Sequence, residues 1–139
     1  MIQLLLDTHA FLWAISDDPR LGKQNRQRNL QEATGVWLSH VSLWEITLKH
    51  TLARADMPLS AAQATQWAEE AGFALLPIAV PHLLTLEQLP LHHRDPYRCA
   101  EDSVFDRLLV AQAVREELTL LSSDEAFQAY GCLLRDARD

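Results

Sequence analysis

Four carboxylates in this chain stand where chemistry could be built: Asp7, Glu45, Asp106 and Asp124. Asp7 closes the apolar run "IQLLL", and Thr8 and His9 follow it before the apolar pattern resumes as "AFLW". A carboxylate between two apolar segments costs desolvation unless a helix N-terminus, a basic side chain or a metal ion pairs with it. Glu45 follows a second strand-like run in "SHVSLWE", Asp124 comes directly after "LTLLSS", and Asp106 lies near the start of the apolar stretch "SVFDRLLVAQAVREE". Acids converging on one edge of a sheet repel each other, and a cation removes that cost. An oxygen-only donor set, with no histidine or cysteine at ligand spacing, suits Mg²⁺ or Mn²⁺ rather than zinc. Such ions keep several waters and can orient a hydrolytic water beside a phosphoryl group. The chemistry implied is phosphodiester hydrolysis.

Taken singly, each acid also has a structural reading. Ser42-x-x-Glu45 and Ser122-x-x-Glu125 are capping-box spacings, and Glu45 can pair with Lys49 at i,i+4. Asp124 then becomes a first-turn acid favoured by the helix dipole, and Asp7 a cap for a helix starting at Thr8. Asp106 has Arg107 beside it. Other motifs are weaker: His92-His93 reads as loop, and Trp13, Trp37, Trp44 and Trp67 sit in amphipathic or apolar patterns typical of a core. No Gly-rich phosphate loop, nucleophilic triad or helix-turn-helix pattern is present.

The elements that must position these acids alternate. Strand-like runs are predicted at Ile2–Leu6, Val36–Ser39, Phe73–Ile78, Leu118–Leu121 and Cys132–Leu134. Asp18-Pro19 reads as an N-cap and N1 pair opening a helix toward Ala33, and Ser60 as another helix start. Gly35, Gly72 and Gly131 read as left-handed C-caps. The stretch "HHRDPYRCAEDSV" is expected to be irregular, and the helix after it largely buried. This alternation predicts one domain over residues 1–139, a three-layer α/β/α fold around a parallel sheet of four to five strands. In such sheets ligands bind beyond the carboxyl ends of the strands, where the strand order reverses. Topology places Asp7, Glu45 and Asp124 at that edge, and Asp106 only if its helix begins nearby.

Composition sets bounds rather than a function. A 48% apolar and 22% charged chain is an ordinary globular one. The net charge of −7 lacks the basic footprint of a nucleic-acid binder, yet metal-binding nucleases must concentrate acids. Basic residues do cluster at Lys23, Arg26 and Arg28, at Lys49, His50 and Arg54, and around His92, His93, Arg94 and Arg98. The first apolar run has no basic lead-in and is too short to span a membrane. Cys99 and Cys132 show no redox spacing, so a reduced cytoplasm is expected.

The segments "LLLDTHAFLWAISDDPRL", "VSLWEITLKH", "LPLHHRDP", "FDRLLVAQA" and "LTLLSSDEAFQAYG" together resemble PIN-domain proteins, in particular VapC-like toxins of toxin–antitoxin pairs. The resemblance covers nearly the whole chain in the right order. It implies a PIN-like fold and a Mg²⁺- or Mn²⁺-dependent endoribonuclease, usually dimeric and neutralised by a cognate antitoxin. Asp7, Glu45, Asp106 and Asp124 match the family's metal-binding acids, and Thr8, Ser42 and Ser123 the small hydroxyl residues beside them. Two departures stand out. Eight residues, Tyr97 to Val104, separate the Asp95-Pro96 turn from Phe105-Asp106-Arg107, which brings Asp102 close as a supporting acid. Glu117 stands where many relatives have glycine. The alternatives are a PIN-type nuclease of RNA processing without a toxin role, and a non-catalytic binding module disabled by the 97–104 insertion.

Overall fold

The apolar runs at the ends of the chain become neighbours in one sheet. The computed structural model describes residues 2–89, 101–124, 127, 130 and 132–139, with backbone only at 27–28 and 101–103. Five strands, β1 (Gln3–Leu6), β2 (Gly35–Ser39), β3 (Ala74–Leu76), β4 (Thr119–Ser122) and β5 (Leu134–Asp136), pair in the order β3-β2-β1-β4-β5, and every pairing is parallel. Helices α1 (Thr8–Ile15), α2 (Leu30–Glu32), α3 (His40–Thr51), α4 (Ala61–Glu70), α5 (Val80–Gln88) and α6 (Glu101–Glu116) make the connections. The chain builds outward from β1 through β2 to β3, then returns to β4 on β1's other side. The strand order therefore reverses between β1 and β4, which opens a crevice beyond their carboxyl ends.

Alternation along the strands divides the core into two layers. Leu5 and Leu120 face a cluster with Phe105, Leu108, Leu109 and Val110 of α6, while Leu6 and Leu121 face Phe11, Leu38, Ile46, Ala64 and Ala68. The expected three-layer α/β/α architecture is what the chain forms. Among the described residues no helix is long and apolar enough to cross a membrane.

Local chemistry moves several boundaries. Asp18 does not cap a helix. Its Oδ1 accepts the Arg20 backbone N–H and both its oxygens take the Arg20 guanidinium, which makes a turn instead. Helical structure begins only at Lys23 and passes through a π-helical turn, Asn25–Asn29, into α2. Gly35 is extended inside β2 rather than a C-cap, because Ala33 already leaves α2 in an extended conformation. Gly72 does take the left-handed conformation, φ +78°, after α4, and Gly131 lies outside the described residues. β5 pairs two residues later than the sequence suggests, Ser122 opposite Asp136, since this polar edge strand carries no apolar alternation to mark its register. α6 starts at Glu101, so Glu101 to Val104 are helical rather than irregular, and the backbone of Asp102 lies in the first turn. Residues 90–100, with Asp95 and the first part of the insertion, lie outside the described residues. Val104 and Val114 of α6 are exposed, so the buried face of this helix is narrower than expected.

α6 ends where Glu117 adopts φ +57° and the Leu118 N–H reaches back to the Ala113 carbonyl at 2.9 Å. That is a Schellman closure, in which glycine is the unstrained occupant. A left-handed L-residue costs about 1–2 kcal/mol, partly offset by the extra chain entropy a glycine would add to the unfolded state. Glu117→Gly should therefore raise the unfolding free energy by up to about 1 kcal/mol, read from urea denaturation; a loss of stability would show that the left-handed residue is not strained.

Candidate metal-dependent active site

Asp7 ends β1, and its backbone N–H donates to the Leu121 carbonyl of the neighbouring β4 at 3.1 Å. Its carboxylate is divided between two elements. Oδ1 accepts the Ala10 N–H at 2.8 Å and so caps α1, while Oδ2 accepts the hydroxyl of Ser122 at the end of β4. Only 7% of Asp7 is exposed. Burial raises its pKa to about 6, against the lowering pull of the Ser122 and Ala10 hydrogen bonds and of His9, and the negative charge of Glu45 adds to the rise. The cap reading and the metal reading of Asp7 are compatible, because the cap uses one oxygen and leaves a strained charge.

Glu45 comes from α3, which begins three residues earlier than its capping-box spacing implies. Ser39, the last residue of β2, is the actual N-cap, accepting the Val41 N–H at 2.9 Å and bonding Gln112 of α6. Glu45 is thus a mid-helix residue whose side chain does not reach back to the Ser42 backbone. Its Oε1 accepts the Thr8 hydroxyl and its Oε2 the ammonium of Lys49, both at 2.7 Å. All three are buried, Lys49 to within 2% of full enclosure. The i,i+4 pairing foreseen from sequence forms, but inside the protein rather than on a solvated face.

Asp106 is half-buried on α6, Asp124 is exposed after β4, and both line one small cavity of about 60 Å³ with Asp7, Thr8, His9 and Glu45. The four acids named from sequence therefore meet at the switch-point edge. Ser122 accepts the Asp124 N–H at 3.0 Å as well as donating to Asp7, so it, rather than Ser123, is the hydroxyl that ties these two acids together. Ser42, one turn before Glu45, is fully buried, and its hydroxyl has no hydrogen-bond partner among the described residues. The side chain of Asp102 is outside the described atoms. Larger cavities, about 400 Å³ against Leu4, Asn29 and Arg135 and about 380 Å³ against Ile15 and Trp67, hold no such cluster of acids.

Sequence reasoning passed over three of these residues. Ser122 was visible only as half of a capping box, and Lys49 only as a surface partner. His9 carried a signal, as an aromatic two residues after a strand-end acid with Trp13 one turn further on.

The donors suit a hard, hydrated cation. The four acids and Thr8 present carboxylate and hydroxyl oxygens to the cavity, beside the His9 imidazole, and Asp7 carries a charge that burial disfavours. Among the described residues no three acid, imidazole or thiol groups close into a ready-made cage. An ion held by these acids would keep most of its waters and take one or two carboxylates directly, as Mg²⁺ does.

Comparison with known proteins follows the same line. The PIN domain family matches residues 4–131. The fold is similar to VapBC from Salmonella typhimurium, solved with DNA bound, at 16% identity and a TM-score of 0.65 over 99% of both chains. VapBC2 from Rickettsia felis, bound to a DNA fragment from its promoter, is similar at 14% identity, with 97% of this chain and 98% of that one covered and a TM-score of 0.64. VapBC-5 from Mycobacterium tuberculosis is similar at 19% identity and a TM-score of 0.59 over 100% of both chains. At these identities the likeness is one of fold. No curated protein matches the sequence.

Two stability measurements follow from the geometry. Asp7 binds its proton more tightly in the folded protein than at its ordinary pKa of 3.8, so the cost of ionising it is absent below about pH 4 and complete above about pH 6. Asp7→Asn should therefore stabilise the metal-free protein by up to about 3 kcal/mol at pH 7 and by well under about 1 kcal/mol near pH 4. A pH-independent effect on the melting temperature would contradict a buried, raised carboxyl. Lys49→Met should cost about 3–5 kcal/mol, the usual penalty for stranding one partner of a buried pair. Mn²⁺ should recover part of that loss, which thermal melts with and without EDTA would measure.

Proposed function

The chain belongs to the PIN domain family, and on that premise we propose that it is a Mg²⁺- or Mn²⁺-dependent endoribonuclease acting as the toxin of a toxin–antitoxin pair. The observation that carries the reading is the convergence of Asp7, Glu45, Asp106 and Asp124 on one cavity beyond the carboxyl ends of the strands. These acids would hold the ion. Bound there, it supplies an oriented hydrolytic water and charge stabilisation for the phosphoryl group. The remaining work belongs to residues already fixed in place. Ser122 aims Asp7, and Thr8 and Lys49 hold both oxygens of Glu45, so the acids keep their positions before any ligand arrives. The apolar wall of α6, with Phe105 and Leu109 buried, fixes Asp106 to a rigid element.

The toxin role is supported by whole-length fold likeness to chains of VapBC complexes, and a small cognate antitoxin is the partner it calls for. A homodimer working in the cytoplasm on RNA completes the reading. One observation favours a non-catalytic binding module instead: Glu45 is already satisfied by Thr8 and Lys49. Such a module need not hold metal.

The deciding experiment is cleavage of total RNA with Mg²⁺, Mn²⁺ or EDTA, beside Mn²⁺ affinity by calorimetry. Wild type should cut with either metal and not in EDTA, and Asp7→Asn should lose cleavage while keeping its fold. Asparagine caps a helix about as well as aspartate, so a cap alone would leave activity unchanged. Asp106→Asn should silence cleavage and weaken Mn²⁺ binding, with Asp95→Asn and Asp102→Asn mild. If Asp102→Asn is the silencing change, the insertion has moved the register of the site. Mn²⁺ binding absent from wild type would favour the non-catalytic module.

A further inference from the structure

His9 lines the acid cavity, is exposed, and has no task in the scheme above. One helical turn along α1, the ring of Trp13 lies nearly parallel to it, with centroids 6.3 Å apart and planes 18° from one another. The guanidinium of Arg20 lies over the Trp13 ring, 5.2 Å from its centroid. Asp18 fixes that guanidinium through Nε at 3.1 Å and a terminal nitrogen at 2.7 Å. Arg26 braces the same turn through the Asp17 carboxylate at 2.7 Å and the Asp18 and Leu21 carbonyls. His9, Trp13 and Arg20 therefore form one cluster of flat groups, with His9 lining the cavity.

A structural account covers part of this. Trp13 packs on the core layer that holds Phe11 and Leu38, and an arginine stem lying over an aromatic is ordinary shielding. It does not account for an exposed aromatic lining the acid cavity. We propose that His9, backed by Trp13 and Arg20, is a stacking platform for the nucleobase adjoining the cleaved phosphate of a single-stranded RNA. This rests on the ribonuclease reading above and adds the way the substrate is held.

Charge gives such a device a use. With a net charge of −7 and four acids lining the cavity, the phosphate backbone gains little attraction there. Base stacking supplies affinity that needs no basic groove and tolerates any sequence. Trp13 is half-buried and Arg20 is held by Asp18, so the backing of His9 is in place before a base adds to it. A duplex keeps its bases stacked on one another and offers none to the platform.

The test measures fluorescence anisotropy of a short labelled single-stranded RNA, and of the same sequence as a duplex, with protein carrying Asp7→Asn to prevent cleavage. His9→Ala should weaken single-strand binding about fivefold or more, the low end of base–aromatic stacking, and His9→Phe should restore most of it. The duplex should bind more weakly than the single strand. In the cleaving protein His9→Ala should raise KM with little change in kcat. Equal binding by His9→Ala, equal defects in His9→Ala and His9→Phe, or a preference for duplex would each overturn the platform. Wild type that cuts RNA while His9→Ala binds it normally removes the platform alone. Wild type that neither binds nor cuts RNA removes the ribonuclease reading and the platform together.

Discussion

The carboxylate of Asp7 is shared between a helix start and a neighbouring strand, and the placement of the other site residues depends on that sharing. Oδ1 takes the Ala10 N–H and fixes where α1 begins; Oδ2 takes the Ser122 hydroxyl and fixes the end of β4 beside the end of β1. Ser122 in turn accepts the Asp124 N–H, so the direction in which the chain leaves β4 is set through the same side chain. The arrangement carries an electrostatic cost, seen in a carboxyl raised to about 6 by burial and by Glu45. A sheet edge tolerates this at a switch point, where crossovers diverge and leave room for a ligand.

The second acid is handled differently. Glu45 is as buried as Asp7, but Lys49 and Thr8 satisfy it from within. Lys49 thus removes part of the repulsion that would otherwise oppose assembly of the cluster. The helix that carries Glu45 is also tied to the helix that carries Asp106: Ser39 at the head of α3 bonds Gln112 of α6, Gln112 reaches His82 of α5, and His82 pairs with Glu116 at 2.9 Å. This polar chain, buried at Ser39, Gln112 and His82 and ending on the exposed Glu116, joins three helices. Its members satisfy one another, which is the condition for a buried polar network to stiffen rather than weaken a core.

On the proposed reading an acidic protein must hold an acidic polymer. An ion bound by the cavity acids would lower charge repulsion there, and the His9 and Trp13 rings would hold a base through their faces. Both devices hang on α1, which Asp7 caps and whose third residue begins the buried apolar layer. The same short stretch therefore supplies a buried acid of the cavity, the hydroxyl that bonds Glu45, and an exposed ring that lines the cavity.

Much of this was legible in the residues themselves. The strand-end position of Asp7, the alternation of apolar runs and the four acids follow from side-chain periodicity, which is local and survives in one dimension. Asp18-Pro19, Gly35 and the register of β5 were misread because several local patterns compete there, and the winner depends on Arg20, on Ala33 and on the facing strand. Ser39 takes the cap that Ser42 was expected to make, and Ser122 the place expected of Ser123, for a similar reason: the helix begins at the strand end that Ser39 occupies, and only the pairing of β1 with β4 brings Ser122 to Asp7. The sequence alone determined which groups are available and on which kind of element each lies. The tertiary structure decided which of them share protons and charge, because hydrogen bonds and desolvation act over a few ångströms between residues as distant in the chain as Asp7 and Ser122.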